Sequence, residues 1–344
     1  MIERNTLSGI TADMTAINLT TIHPEKILFW FVWMLFVALP VEAASPPTDA
    51  AIWLNDVANA TRTTNYEGVF IFQRPNGIEI SHISHRSGKN GEILRLDALS
   101  GEPRTFLRHN NNVFCYTPHG HQMDVERHHH RPFFPEILPK QPDDILSYYQ
   151  PEFIGHIRIA GRDSTGLSLL PRDPYRYGYI LWADSVSHVL LRLIKLDGQQ
   201  QPVSWFSFTQ IDIGNAPERT QFRSGLTDKQ AIIIPEHETP ITANWQVEKM
   251  PPGFHLITAA QFILPKHTRP VIHLVYSDGL STVSLFVEAL AADDPVRQQG
   301  LARHGIMSLY TRPGNADQIT ALGDVPPATL MMMADSLQPI SKVK

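Results

Sequence analysis

Cysteine is almost missing from this chain. Cys115 stands alone among 344 residues, so no internal disulfide can form in any compartment. Long apolar runs are just as scarce. The longest, residues 27–39, would span about 20 Å as a helix at ~1.5 Å per residue, short of a ~30 Å hydrocarbon core. An excess of one charge is also lacking, since 29 Lys and Arg face 34 Asp and Glu. Without a basic excess or a polybasic run, binding to nucleic acid or to an anionic membrane surface through bulk charge is excluded. Catalytic signatures are absent too. There is no Gly-x-Ser-x-Gly, no His-Glu-x-x-His helix and no marked pair of carboxylates, so no catalytic residue, metal ligand or cofactor is expected.

The short apolar block follows Lys26 and runs into Val41-Glu42-Ala43, a small-x-small cleavage pattern. Residues 1–43 therefore read as a secretory signal, with the mature chain starting near Ala44 in an envelope compartment. The stretch before the block is long for such a signal, and a start at Met14 would be more ordinary; the alternative is an uncleaved anchor. Removing Arg4 and Lys26 along with Glu3, Asp13, Glu25 and Glu42 leaves the remainder close to neutral. A location in the envelope argues against ATP- or nicotinamide-dependent chemistry.

Residues 48–62 predict a helix, because Ala50, Trp53, Leu54, Val57 and Ala58 recur at i, i+3, i+4 spacing and Thr48 or Asp49 can cap it. From Tyr66 the period changes to two. Strands are expected over 66–74, 78–86, 93–97, 103–110 and 113–116, separated by turn chemistry such as Pro75-Asn76-Gly77. This is an antiparallel meander with the helix on one face. Residues 118–142 break the rhythm with five Pro and five His, and read as a long functional loop or flap. A short helix over 143–149 follows, then strands over 153–160, 166–171, 177–184, 189–196 and 203–213.

The polar stretch 214–231 is taken as a linker between a first domain, 44–213, and a second, 232–340. In the second, strands are expected over 245–249, 254–260, 271–276, 282–289, 306–311 and 318–322. Ser277-Asp278-Gly279 supplies a hairpin turn, and a final helix over 326–337 has Asp324 as a candidate cap. The fold class is α+β, mainly antiparallel β.

Three constellations bear on chemistry. His119, His121 and Met123 would project from one side of a strand and suit copper or zinc. The consecutive His128-His129-His130 cannot converge on one ion, and a solvated or partner-contacting loop is favoured. Asp97, Asp163, Asp173 and Asp184 lie at separate turns and strand ends, where capping is the ordinary use. Cys115, in an alternating strand, reads as a buried structural thiol, with a mixed disulfide as the alternative. Aromatic bulk stands out instead. Val69-Phe70-Ile71-Phe72 carries it on both alternations, so either the strand is buried on both sides or one apolar face stays open to a ligand. Acyl chains suit such a face, at ~0.8 kcal/mol per methylene removed from water.

At Ala160-Gly161-Arg162, Leu170-Pro171-Arg172-Asp173-Pro174-Tyr175-Arg176-Tyr177-Gly178-Tyr179, Trp182 and Asp184 the chain resembles the RseB/MucB family of periplasmic regulators of the envelope-stress sigma factor. Asn65-Tyr66-Glu67-Gly68, Glu92-Ile93-Leu94, Gly101-Glu102-Pro103-Arg104, Pro252-Gly253-Phe254, Tyr276-Ser277-Asp278-Gly279-Leu280 and Gly323-Asp324-Val325-Pro326 agree in order. The likeness spans both halves; residues 118–142 depart from the family pattern. It implies a LolA/LolB-like unclosed barrel around helices plus a smaller C-terminal domain, and a role without catalysis. The implied partner is the periplasmic region of the anti-sigma factor RseA, shielded from proteolysis and released when lipid, lipopolysaccharide or lipoprotein acyl chains are sensed. Candidate lipid-binding residues are Phe70, Phe72, Phe133, Phe134, Ile137 and Trp205. Candidate partner-binding residues are Arg172, Arg176, Tyr276 and Asp278, chosen because exposed Arg and Tyr anchor interfaces. Self-association into a homodimer is left open. A periplasmic lipid or lipoprotein carrier is the alternative reading, and a metal-dependent envelope enzyme the third.

Overall fold

A computed structural model describes residues 46–340 of the chain, apart from 90, 111, 120–121, 129–136, 140, 224–230, 235–237, 264–268, 292–298 and 305. The signal expected over 1–43 therefore lies outside the described residues, as do His121, His129, His130, Phe133 and Phe134. Helix α1, Pro46–Thr63, buries the apolar stripe read from its spacing: Ala50, Trp53, Leu54, Val57 and Ala58 are all enclosed. Asp49 in its first turn and Arg62 in its last complement the helix dipole. Arg62 also donates to the Leu138 carbonyl and so ties the helix end to the segment before β7.

Six strands form the first meander: β1 (Tyr66–Arg74), β2 (Gly77–Gly88), β3 (Gly91–Ala98), β4 (Thr105–His109), β5 (Asn112–His119) and β6 (Gln122–His128). A 3-10 turn, Pro142–Ser147, leads into β7 (Tyr149–Ile159), β8 (Arg162–Pro171), β9 (Gly178–Asp184), β10 (Leu190–Leu196) and β11 (Pro202–Ile213). With β12 (Ala231–Ile234) they make one 12-stranded sheet, ordered β12-β6-β5-β4-β3-β2-β1-β11-β10-β9-β8-β7. Pairing of β1 with β11 joins the two meanders, and the sheet stays unclosed with β7 and β12 at its ends. All neighbours are antiparallel except β12, which runs parallel to β6. Leu54 of α1 belongs to the first core together with Phe70, Ile83, Leu167, Leu181, Leu193 and Phe206 of the sheet.

The second sheet is built from β13 (Thr239–Pro240), β15 (His255–Ile263), β16 (Pro270–Ser277), β17 (Thr282–Ala289), β18 (Gly300–His304), β19 (Met307–Pro313) and β20 (Asp317–Gly323). Helix α2, Pro327–Asp335, covers one face, and β14 (Trp245–Val247) pairs with β21 (Leu337–Pro339) beside it. Leu274, Leu285, Ile319, Ala321, Leu330 and Met333 form this second core. Both sheets belong to one compact unit, Ser45–Lys344.

Most strands appear where alternation placed them, and Ser277 pairs with Thr282 across the expected hairpin. Four expectations are corrected. Residues 118–119 and 122–128 are not loop, because they pair as the ends of β5 and β6 with His119 opposite Gln122; His119 and Met123 thus sit on different strands. Pro and His hid an alternation that the open side of β5 recruits. The helix expected over 143–149 is a 3-10 turn ending before Tyr149, whose buried ring belongs to β7 and donates its hydroxyl to the Tyr177 carbonyl. Asp324 does not cap α2, which starts after Pro326 without a side-chain cap; its carboxylate pairs with Lys195 of the first sheet instead. Cys115 is half-buried rather than enclosed, with its Sγ 3.8 Å from Thr117 Oγ1.

Asp184 closes β9 as a turn cap. Burial penalises its carboxylate, yet hydrogen bonds from Arg162 Nε and from the Ser187 N–H and hydroxyl outweigh that cost and hold its pKa below the ordinary value. A lowered carboxyl pKa contributes stability that is present above the ordinary value of 3.8 and is lost as pH falls through the folded value. Asp184→Asn is therefore expected to flatten the acid limb of a stability–pH curve below about pH 4. Urea midpoints for the two proteins that fall in parallel between pH 5 and 3 would refute this.

Candidate functional site

The two sheets meet at a seam, and its centre is a buried arginine. The turn between β8 and β9 carries Arg176, whose side chain is 0% exposed; its Nη1 donates to Asp278 Oδ2 at 2.7 Å, and the Asp278 side chain is 1% exposed. Arg176 Nε lies 3.1 Å from both carboxylate oxygens of Asp173, and Nη2 donates to the Pro252 carbonyl. The rings of Tyr148 and Phe254 flank the guanidinium, with centroids 4.8 and 5.6 Å away. Asp278 in turn accepts the Leu280 and Ser281 N–H groups, so one carboxylate both shapes the β16–β17 hairpin turn and docks it on the first sheet. Arg176 is satisfied on every side, which is what a buried charge requires.

Other contacts extend this seam. Lys195 of β10 pairs with Asp324 ahead of α2. Burial disfavours the Lys195 ammonium, but Tyr179 and Asp324 around it hold its pKa above the ordinary value. Tyr179 Oη lies 3.4 Å from Ser281 Oγ, and Thr329 of α2 donates to the Tyr175 carbonyl at 2.6 Å. Burial pushes the Tyr149 and Tyr179 hydroxyls up. Gly253 takes a positive φ of 86° and brings its backbone against the Tyr148 ring.

Of the residues expected to meet a partner, Arg172 is exposed. Arg176, Asp278 and Tyr276 are not: they are 2%, 7% and 3% exposed. The exposure used to choose them is corrected, because Arg176 and Asp278 neutralise each other between the sheets and Tyr276 fills the second core. Of the expected lipid-binding residues, Phe70 is buried in the first core, while Phe72 and Ile137 pack against it half-buried. Phe133 and Phe134 lie outside the described residues. Trp205 is half-buried but one residue out of phase: it lies opposite Gln73, whereas Phe206 lies opposite Phe72, so it faces away from the other aromatics. The structure therefore brings Phe70, Phe72 and Ile137 to one side and leaves Trp205 on the other.

Register also shows what spacing could not. Leu167, Leu181, Leu193, Phe206 and Phe72 stand opposite one another from β8 to β1, an apolar row perpendicular to the strands. Phe72 is its half-buried end. Sequence reading missed Lys195, Asp324, Thr329 and Tyr148 at the seam. One signal was available: Lys195 shares the phase of Leu191 and Leu193 in an apolar strand, and a charge in a core-facing phase needs a partner.

A family model described as the MucB/RseB N-terminal domain matches residues 49–226, and one described as the MucB/RseB C-terminal domain matches residues 239–338. The sigma factor AlgU regulatory protein MucB of Pseudomonas aeruginosa is 29% identical over 312 residues, covering 89% of this chain and 96% of that protein. Two solved structures, MucB in complex with MucA(peri) and the Pseudomonas aeruginosa MucA/MucB complex, superpose with TM-scores of 0.71 and 0.70. Each is 26% identical and covers 85% of this chain, and they are matched over 100% and 99% of their own lengths. Among the described residues, no helix is long and apolar enough to cross a membrane.

Proposed function

Because the chain belongs to the MucB/RseB family, we propose that it is a periplasmic regulator of sigma-E-type signalling that acts by binding and carries out no catalysis. It binds the periplasmic region of an RseA-like anti-sigma factor, protects it from regulated proteolysis and releases it on sensing lipid or lipoprotein acyl chains. One observation carries this reading: both sheets, nearly end to end, match a protein solved together with MucA(peri). Domain 44–213 is assigned to lipid sensing and 232–340 to the partner, with 214–231 between them, although β12 at that border pairs with the first sheet.

The physics of release is linkage. A lipid that favours the partner-free form lowers partner affinity by its differential binding energy, and ~1.4 kcal/mol gives a tenfold change. The seam suits this task, since Arg176, Lys195 and Thr329 connect the sheet assigned to lipid with the one assigned to the partner. Mixing the purified protein with the periplasmic region of its anti-sigma factor is expected to give a stable complex at micromolar concentration and to slow cleavage of that region by its protease. No association at that concentration sinks the regulator reading; lipid binding without association would favour a carrier.

A further inference from the structure

The apolar row from Leu167 to Phe72 ends on β2 at an unbalanced charge cluster. Glu79 stands opposite Phe72, and its carboxylate is shared by two arginines. Arg104 Nη2 donates to Glu79 Oε2 at 2.8 Å, and Arg74 Nη2 lies 3.6 Å from the same oxygen. The Arg74 guanidinium rests over the Phe72 ring, 4.6 Å from its centroid. Arg74 is two residues beyond Phe72 and so shares its face. The three polar side chains remain open to solvent, at 43%, 38% and 19% exposure for Arg74, Arg104 and Glu79.

Among the described residues, three other arginines of the first sheet and its turns have carboxylates that no second arginine shares. Arg95 has Asp97, Arg162 has Asp184, and Arg176 has both Asp173 and Asp278. Here one carboxylate serves two cations, and Arg104 Nε is buried with no hydrogen-bond partner among the described residues. Burial lowers the Arg74 pKa and Arg104 adds to that, with Glu79 opposing. Two guanidinium forks that converge beside an aromatic face at the end of an apolar row fit an anion carrying an acyl chain. A phosphate monoester supplies more than one negative charge and accepts from both forks.

We propose that Arg74 and Arg104 form the headgroup subsite for an acyl ligand with a phosphate headgroup, whose first methylenes lie on Phe72. The inference rests on the lipid-sensing part of the reading above and names the chemistry of that ligand. Glu79 holds the two forks in place and, as a like charge beside the phosphate, limits affinity.

Titration calorimetry with three probes below their critical micelle concentrations tests it: 1-oleoyl lysophosphatidic acid, 1-monoolein and glycerol 3-phosphate. The native protein is expected to bind the lysophosphatidic acid at least about tenfold more tightly than monoolein, and glycerol 3-phosphate more weakly than either. Arg74→Gln with Arg104→Gln is expected to bring the first two to near-equal affinity by weakening only the lysophosphatidic acid. Glu79→Gln is expected to strengthen it about threefold or more. Equal affinities in the native protein, or a preference that survives in the double variant, overturn the subsite while leaving lipid sensing intact. Glycerol 3-phosphate binding as tightly as the lysophosphatidic acid overturns the acyl part. Failure of monoolein and lysophosphatidic acid alike removes the lipid-sensing premise, and the subsite with it.

Discussion

Arg176→Ala is expected to destabilise the protein by about 3–5 kcal/mol, the cost of leaving a buried carboxylate without its counter-charge. Asp278 is the group left behind: its side chain is 1% exposed, and its other oxygen is already committed to the hairpin N–H groups. Loss of Arg176 also orphans the Pro252 carbonyl and one side of Asp173. Arg176→Lys is expected to recover little, because an ammonium cannot reach Asp173, Asp278 and Pro252 at once as the planar fork does. Each sheet keeps its own core, so breaking the seam should uncouple them. Differential scanning calorimetry should show the native transition broaden or split in Arg176→Ala. A urea-unfolding loss below about 1 kcal/mol with one sharp transition would show that the pair contributes nothing beyond an exposed bridge.

Gly253→Ala is expected to cost about 2–3 kcal/mol through two independent strains. An L-residue at φ 86° pays ~1–2 kcal/mol against its neighbouring carbonyl. A Cβ there would also sit 2.4 Å from Tyr148 Cε2, well inside contact distance, so the ring must move. That ring lies against Arg176, 4.8 Å from its guanidinium carbon. The two substitutions therefore disturb one cluster. Their combined effect in Gly253→Ala with Arg176→Ala should fall short of the sum by more than ~0.5 kcal/mol, the usual limit for independent sites. Strict additivity in a urea double-mutant cycle would mean that Gly253 and Arg176 act separately, and the seam would not be a single packed unit.

Much of the strand order was legible because burial imposes a period of two wherever a sheet has one covered face. Phe206 and Phe208, Leu191 and Leu193, and Val283, Leu285 and Val287 each keep that period, and all are buried. The β5–β6 hairpin was not legible: its strands carry Pro118, His119 and His128, whose local preferences point to loop, and pairing between strands overrode them. Short strands such as β13, β18 and β21 carry too few residues to show any period.

The candidate site was half legible. Arg176 and Asp278 stood out, but as surface anchors, since a one-dimensional reading has no means of seeing that they neutralise each other across 102 positions. Phe72 and Trp205 were grouped as bulk, yet their registers point them to opposite sides.

Local order and family membership came from the chain alone, because periodicity, turn residues and motifs spread over both halves are properties of neighbours in sequence. Only the folded arrangement decided which arginine is buried with its partner, which two share a single carboxylate, and which alternate face lies over α1. Those are facts of distance between remote segments, set by how two curved sheets and their helices exclude water, and a repeat of two tells that residues share a side without telling which side it is.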